Sequence, residues 1–286
     1  MGNGKQALSL VARTLRAGGA GTVLVPSYRC ETMVLPFALE GMRVRPVDVG
    51  ADLLADPCAL RGALDREPGA AVLHCETYGN RGGQELAAVL GAARRRGSAL
   101  VLDATHSVVD RLIGAAGAPG PGWDAVVVSA RKLLPVPDGA WLAWPDASPL
   151  AAGLTSAVAA LPGRRPADER VTALGFRLDR ALGSMRTARG MRREELRLTV
   201  CEIAARHEGA IEGALTPVPA SARTVALLKG LGPEELRPRA RAARHLRRHL
   251  DAPLRACGLR VVNPGSAGCV ALGAAGAEGG STSPRT

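Results

Sequence analysis

The sequence predicts an α/β fold, with a mostly parallel sheet between two layers of helices. The first observation is a set of six short apolar segments, rich in Val, Leu and Ala, between residues 22 and 145. The second is that most of these segments are separated by stretches whose apolar residues lie three and four positions apart, the spacing of a helix face. Short buried strands that alternate with helices form parallel sheets covered on both faces.

The predicted strands are five to seven residues long. They cover residues 22–26, 43–49, 70–75, 99–104, 124–130 and 139–145. The predicted helices between them cover residues 6–17, 31–41, 57–65 and 83–97. Pro36 predicts a kink in the second helix, and Gly97 ends the fourth. In sheets of this kind, functional groups lie at the carboxyl ends of the strands.

The pattern changes after Leu150. A polar connector is predicted over residues 163–170, and long helices over 171–212. A Pro-broken linker is predicted over 216–224. Further helices follow over 225–256, and a strand begins within 258–264. We therefore expect a large domain over residues 1–215 and a smaller C-terminal α+β domain over 216–272. Residues 273–286 are rich in Gly and Ser and have no periodicity, which predicts a disordered tail.

The composition excludes several classes of protein. Of the 286 residues 47% are hydrophobic but only 2% are aromatic, so the core must consist of Ala, Val and Leu. No apolar run is long enough for a transmembrane helix, and the first ten residues lack the features of a signal peptide. The six cysteines form no CxxC pair. We expect a cytoplasmic protein with reduced thiols and without structural zinc.

The net charge of +11 raises the question of a nucleic-acid partner. The 34 arginines are spread through the chain, however, as a bias toward G+C-rich codons would spread them. The densest basic run, residues 237–250, predicts a helix with Leu246 and Leu250 as apolar contacts, so a solvated helix face is favoured and an anionic partner is the alternative. His245 and His249 lie one turn apart without the carboxylate of a metalloprotease motif, so no metal is predicted.

Residues whose side chains can take part in catalysis or ligand binding follow the predicted strands. The chain has only three lysines, and one of them, Lys132, comes just after a strand that ends in Ser129. A neighbouring strand ends in Asp103 within "LVLDATHS", and Tyr78 follows a third within "HCETYGN". The first helix opens with "GNGKQ", whose unpaired backbone N–H groups form an anion site. Its spacing is not that of a P-loop.

Pyridoxal 5'-phosphate requires four kinds of group in its binding site: a lysine, a carboxylate, a polar group such as histidine, and a phosphate site. The sequence places all four at one edge of the predicted sheet. The lysine holds the aldehyde of this cofactor as a Schiff base. The carboxylate pairs with the pyridinium nitrogen, so that the ring accepts electrons. A further polar group contacts the phenolic oxygen, and backbone amides and hydroxyls hold the phosphate.

The segments "GKQAL", "VLVPSY", "LVLDATHS" and "VVVSARKLLPVPDGA" resemble fold-type-I pyridoxal-phosphate enzymes, above all the DegT/DnrJ-type aminotransferases. The resemblance covers about residues 2–270. It implies a three-layer α/β/α fold around a seven-stranded type of sheet, and a homodimer. Both ends of the chain are shorter than this family usually has, which predicts an incomplete small domain.

The resemblance also implies roles for individual residues. Lys132 matches the Schiff-base lysine, and Asp103 matches the partner of the pyridine nitrogen. His106 matches the residue that contacts the phenolic oxygen, and Ser129 the serine that binds the phosphate. The other cofactor-binding residues predicted are Gly4, Lys5, Gln6, Tyr28 and Tyr78. Cys30 stands where the family often has an aromatic ring over the cofactor, so the stacking residue is not identified.

The function implied is that of an aminotransferase that moves an amino group from an amino acid to a keto or aldehyde intermediate, such as a sugar nucleotide or a secondary-metabolite precursor. Retention of Lys132 argues against the dehydrating branch of the family, which has a histidine there. Two alternatives stay open: a lyase or decarboxylase on the same fold, and a non-catalytic member, which the short ends favour. No membrane partner is expected, and the donor and acceptor are not identified.

Overall fold

A mostly parallel sheet lies at the centre of the molecule. The computed structural model describes residues 1–114 and 122–274, and within them six strands form this sheet: β1 (Thr22–Pro26), β2 (Arg43–Val47), β3 (Ala71–Cys75), β4 (Leu100–Asp103), β5 (Ala125–Ser129) and β6 (Ala140–Ala143). Their order is β2-β1-β3-β4-β5-β6, and only β6 runs antiparallel to its neighbour. The predicted α/β class is confirmed, with six described strands where the resemblance implies a seven-stranded type.

The strands are buried according to their place in the sheet. β1 and β3 are buried at all five positions, as expected for strands with helices on both faces. The edge strand β2 instead exposes Arg43 and Arg45, and both pair with Glu67 at 3.3 Å. Charged side chains on an edge strand oppose pairing with a second chain.

Helices cover the two faces of the sheet. Those of the first part are α1 (Gly4–Ala17), α2 (Glu31–Leu39), α3 (Pro57–Arg66), α4 (Gln84–Arg95), α5 (Val108–Leu112) and α6 (Ala151–Ala159). The four predicted helices of this part are α1 to α4, each ending within two residues of its predicted ends, and α2 contains Pro36. The helices α5 and α6 are not predicted, because α5 has only five residues and α6 is Ala-rich without a clear polar face.

Two aliphatic clusters hold the helices on the sheet. On one face, Leu10 and Val11 of α1 pack with Val23 and Val25 of β1. On the other face, Leu60 of α3 joins a cluster with residues of α4 and with Leu24, Val72 and Leu100 of the strands. The core is therefore built from Val, Leu and Ala, as the low aromatic content predicts. Among the described helices, none combines the length and the apolar character that crossing a membrane requires.

The second part of the chain is mainly helical. Its elements are α7 (Pro166–Thr187), α8 (Gly190–Gly213), α9 (Ala222–Lys229), α10 (Pro233–Ala256), β7 (Leu259–Val261) and β8 (Leu272–Ala274). α7 packs along α8, and β7 pairs antiparallel with β8. The first two residues of the predicted disordered tail, 273 and 274, belong to β8, and the remainder, 275–286, lies outside the described residues. The domain boundary at residues 215/216 stays a prediction.

Part of the basic run 237–250 has a structural role within α10. Arg239 donates hydrogen bonds to the carbonyl oxygens of Leu133 at 2.6 Å and Gly268 at 2.9 Å. Arg247 donates to the carbonyls of Ser266 and Cys269. These two arginines connect the segment after β7 to the helix, so the run belongs to a helix with one packed side. The predicted apolar contact at Leu246 is wrong, however: Leu246 is 48% exposed, and the buried residues of α10 within the run are Ala240 and Ala243.

Candidate functional site

A cavity of about 300 Å³ opens at the carboxyl ends of β1, β3 and β4. Six residues singled out in the sequence line it: Tyr28, Cys30, Tyr78, Asp103, His106 and Lys132. They come from four separate segments, and the parallel strands bring these segments to one edge of the sheet. The cavity therefore contains an amine, a carboxylate, an imidazole and two phenols.

A larger cavity, of about 760 Å³, lies between α1 and α6. Its lining is mostly Ala, Gly, Pro, Leu, Ser and Thr, and its two charged residues, Arg13 and Glu40, pair with each other at 3.1 Å. By size alone, the larger cavity would be the candidate functional site. We choose the smaller cavity, because it is the one of the two in which an amine, an imidazole and a carboxylate lie close together.

The register of the sheet places Asp103 in the cavity. Asp103 is the last residue of β4 and lies opposite Cys75, the last residue of β3. Its Oδ1 accepts a 2.9 Å hydrogen bond from the backbone N–H of Thr105. This local turn is one that Asp side chains favour, and it fixes the carboxylate at the strand end.

Lys132 reaches the cavity from the neighbouring strand. It ends a 3₁₀ turn (Ala130–Lys132) that follows β5 directly. Its side chain is exposed, so a molecule in solution can reach the amine. Ser129, the last residue of β5, is buried, and its backbone N–H donates a 2.9 Å hydrogen bond to Oγ1 of Thr105. This bond connects the strand end before Lys132 to the segment between Asp103 and His106.

The start of α1 lies against Ser129. A β-carbon added at Gly4 would lie 2.9 Å from the β-carbon of Ser129, closer than such atoms approach in proteins. The helix begins after Asn3, whose Oδ1 accepts a 2.9 Å hydrogen bond from the N–H of Gln6. The Ser129 side chain and the first turn of α1 therefore lie in contact. That they bind an anion stays a prediction.

The side chains of Lys5 and Gln6 do not line this cavity. Nζ of Lys5 donates to the carbonyl oxygen of Glu212, and Nε2 of Gln6 donates to that of Ala214 at 3.2 Å. Both side chains are buried against the end of α8, and burial lowers the pKa of Lys5. If these two residues contact a phosphate, they do so through the backbone N–H groups of the first turn. Their predicted role stays a prediction.

Three aromatic rings form one wall of the cavity. The rings of Tyr78 and His106 are stacked, with centroids 5.4 Å apart and planes at 7°. The hydroxyls of Tyr28 and Tyr78 lie 2.8 Å apart. The hydrogen bond to Tyr28, together with burial, raises the pKa of Tyr78 to about 12, so the Tyr78 phenol is neutral at pH 7. Cys30 also lines the cavity, where the resemblance implies an aromatic ring.

His106 is neutral at physiological pH. Burial lowers its pKa, the positive charge of Lys132 lowers it further, and the negative charge of Asp103 opposes both effects. Its Nδ1 accepts a 3.0 Å hydrogen bond from the backbone N–H of Tyr78. The neutral ring therefore has its proton on Nε2.

Glu76 is a lining residue to which the sequence analysis assigns no role. Its carboxylate is 5% exposed, pairs with Arg111 at 2.6 Å and accepts a hydrogen bond from the Ser107 hydroxyl. Cys75 is buried beside it, and burial and the nearby Asp103 raise the pKa of its thiol well above the ordinary value. The thiol is therefore protonated at pH 7. Glu76 and Arg111 are 35 residues apart and belong to no known sequence motif. The sequence therefore does not predict this ion pair.

The strand order and the position of this cavity define the chain as an α/β protein with a mostly parallel sheet and a candidate site at its carboxyl edge. No protein-family model matches the sequence, and no curated protein sequence matches it significantly. Solved structures do match. DesI, solved in the presence of its TDP-sugar product, superposes with a TM-score of 0.54 at 20% identity, over 92% of this chain and 56% of DesI.

Two further structures are similar over about half of the chain. The sugar aminotransferase CalS13 from Micromonospora echinospora has 27% identity and a TM-score of 0.42, covering 54% of this chain and 42% of CalS13. A DegT DnrJ EryC1 StrS aminotransferase from Brucella abortus has 24% identity and a TM-score of 0.43, covering 55% and 43%. The superposition on DesI confirms the resemblance at the level of the fold. The chain spans only about half the length of these three proteins.

The residues of the cavity fit pyridoxal phosphate. Lys132 offers an accessible amine, Asp103 an acceptor for a protonated ring nitrogen, and His106 a donor for a phenolic oxygen. Gly4 lies so close to Ser129 that a β-carbon on Gly4 would collide with the Ser129 side chain, and these two residues lie beside the cavity rather than in its lining. All four kinds of group that the cofactor requires therefore lie at one edge of the sheet.

Proposed function

We propose that this chain is a pyridoxal-phosphate-dependent aminotransferase. The observation that carries the proposal is the convergence of Lys132, Asp103 and His106 on one cavity at the carboxyl edge of a parallel sheet. Each residue alone has ordinary structural explanations. Together they match the three contacts that the cofactor's aldehyde, ring nitrogen and phenolic oxygen require.

The cofactor, when bound, supplies an aldehyde that condenses with amines and a ring that accepts electrons. Lys132 has two tasks in this proposal. Its amine would hold the cofactor through that aldehyde until an amino donor binds. The free Nζ of Lys132 would then act as the base that accepts the proton from the α-carbon of the donor.

The other residues hold charge and position. Asp103, fixed by its bond from Thr105, keeps the ring nitrogen protonated and so favours loss of the α-proton. His106 donates from Nε2 to the phenolic oxygen. Ser129 and the first turn of α1 hold the phosphate, where the N-terminal end of the helix favours negative charge. Tyr28 and Tyr78 form the wall beside the ring.

We further infer that the acceptor is a keto or aldehyde group on a sugar nucleotide or another biosynthetic intermediate, and that the working form is a cytoplasmic homodimer. Two of the similar structures support the first point: one is a sugar aminotransferase, and the other was solved in the presence of its TDP-sugar product. The free thiol form of all six cysteines agrees with a reducing compartment.

A single-turnover experiment tests the activity without knowledge of the acceptor. The cofactor-loaded protein is mixed with each of a panel of amino acids, and the keto acid released is measured. We expect one equivalent of keto acid per loaded site from the true donor, none from Lys132→Ala, and an unchanged yield from Lys229→Arg, which lies at the end of α9. Release of CO₂ or ammonia without the matching keto acid would favour a decarboxylase or lyase.

A further inference from the structure

Tyr78 has a backbone conformation that requires support. Its φ of 52° and ψ of 19° lie in the left-handed region, although it is not a glycine. For a residue with a β-carbon this conformation costs about 1–2 kcal/mol. It also directs the Tyr78 N–H toward Nδ1 of His106, 3.0 Å away. Contacts elsewhere must therefore hold this peptide in place.

Asn263 supplies such a contact from the other end of the chain. Its Nδ2 donates a 2.8 Å hydrogen bond to the carbonyl oxygen of Tyr78 and a 3.1 Å bond to that of Cys269. Its Oδ1 accepts a 2.8 Å bond from the N–H of Ala271. The side chain is fully buried, and its amide is engaged at both ends, so it has one orientation.

The segment that contains Asn263 is itself anchored. Oδ1 of Asp110, a fully buried residue of α5, accepts a 2.8 Å hydrogen bond from the N–H of Ala267. Arg247 of α10 donates to the carbonyl of Cys269 at 2.7 Å. The backbone around Asn263 is therefore held in place by hydrogen bonds, and the bond from Asn263 to Tyr78 joins the region after β7 to the wall of the cavity.

The bond from Tyr78 decides which nitrogen of His106 has the proton. A nitrogen that accepts an N–H bond has no proton of its own, so the neutral ring is protonated at Nε2. His106 thus offers a hydrogen-bond donor, rather than a lone pair, to a ligand. An oxygen that bears negative charge is the ligand group that this donor fits.

We propose that Asn263 is a positioning residue for the cavity: its bond to the carbonyl of Tyr78 holds the backbone of that residue, and the N–H of Tyr78 in turn fixes His106 as the Nε2–H tautomer. The identity of the ligand oxygen, the phenolic oxygen of pyridoxal phosphate, rests on the proposed function. The tautomer does not, because every contact that sets it lies within the protein.

The direct test is ¹⁵N NMR of histidine-labelled protein without cofactor. The chain has five histidines, and loss of one signal set in His106→Gln assigns His106. We expect a pyridine-like Nδ1 and a pyrrole-like Nε2 in the parent protein. In Asn263→Ala and Asn263→Asp we expect the His106 signals to move toward a mixture of tautomers. A pyrrole-like Nδ1 in the parent, or unchanged His106 signals in a folded Asn263 variant, would overturn the proposal.

Asn80→Ala is the matched control. Asn80 also donates to the segment after β7, through a 3.0 Å bond to the carbonyl of Val262, but its side chain does not bond to Tyr78. A general loosening of that segment would alter His106 in this variant as well. We expect its His106 signals to equal those of the parent; a shift as large as that in the Asn263 variants would contradict a specific role for Asn263.

A pair of substitutions at His106 separates the two nitrogens without relying on Asn263. In His106→Gln, the side-chain amide places an N–H donor near the position that Nε2 has in the parent. In His106→Asn, the shorter side chain places an acceptor oxygen near the position of Nδ1 and no donor near that of Nε2. Spectral titration with pyridoxal phosphate is expected to give an affinity within a few-fold of the parent for His106→Gln and about tenfold weaker for His106→Asn. The reverse order would overturn the donor assignment. No binding to the parent would refute the proposed function while the NMR result still stands.

Discussion

Gly4 and Ser129 approach each other so closely that a β-carbon on Gly4 would lie 2.9 Å from the β-carbon of Ser129. The contact joins the first turn of α1 to the end of β5, three residues before Lys132. Gly4→Ala must push these two elements apart. We expect a loss of about 1–3 kcal/mol in the free energy of unfolding, together with weaker binding of pyridoxal phosphate, in urea unfolding and spectral titration.

Gly209→Ala is the control for this substitution. Gly209 lies in α8, and a β-carbon there meets no heavy atom within 4 Å. Ala favours the helix over Gly, so this variant should gain roughly 0.5–1 kcal/mol and bind the cofactor as the parent does. Equal stability of the Gly4 variant and the parent would show that α1 and β5 separate easily and do not form a rigid contact.

The ion pair between Glu76 and Arg111 should contribute to stability. Glu76 is 5% exposed, and its Arg111 partner is about one-third exposed. Among the described residues, Arg111→Ala leaves the buried carboxylate of Glu76 with the Ser107 hydroxyl as its one side-chain donor. We expect a loss of about 2–3 kcal/mol in the free energy of unfolding, since water at the partly exposed end compensates in part. Arg96→Ala breaks an exposed pair with Asp65 and should cost less than about 1 kcal/mol. Equal losses would contradict the buried pair.

Acid should destabilise the protein through His74. The ring is buried and stacked on Trp123, and burial, with a smaller effect of Arg111, lowers its pKa to about 4. Because the unfolded state binds this proton near pH 6.5 and the folded state does not, stability is lost as pH falls from about 6.5 toward 4. Burial also lowers the pKa of His106 and His207, which adds to the effect.

His74→Phe isolates this contribution, because Phe keeps a ring against Trp123 and cannot titrate. Between pH 7 and pH 5 we expect the parent to lose about 2 kcal/mol more in the free energy of unfolding than the variant does. Urea unfolding at the two pH values measures the difference. The same pH dependence in both proteins would mean that folding does not lower the pKa of His74.

Much of the fold follows from local pattern. The six strands of the sheet and α1 to α4 are present where runs of Val and Leu and the helical spacing predict them. Strand ends in a parallel sheet meet at one edge, so Asp103, His106 and Lys132 could be expected together before any coordinates were known. Two helices escaped prediction because α5 is too short to show periodicity and α6 has too few polar residues.

The supporting contacts of the site could not be predicted in the same way. Asn263 and Tyr78 are 185 residues apart, and no spacing rule connects them. Lys5 is a basic residue at the start of a helix, which predicts contact with a phosphate. Its side chain instead donates a hydrogen bond to a carbonyl oxygen at the end of α8. Such contacts depend on how distant elements pack, which a local pattern does not contain.

The central claim is that Lys132 is the residue to which pyridoxal phosphate bonds. The measurement is the visible spectrum of the purified protein mixed with pyridoxal phosphate, followed by borohydride reduction and peptide mapping. With only three lysines in the chain, the adduct can be assigned without ambiguity among Lys5, Lys132 and Lys229. We predict a yellow band that borohydride converts into a stable adduct on the Lys132 peptide, and neither in Lys132→Ala. No band in the parent, or an adduct on Lys5 or Lys229 alone, would contradict the account.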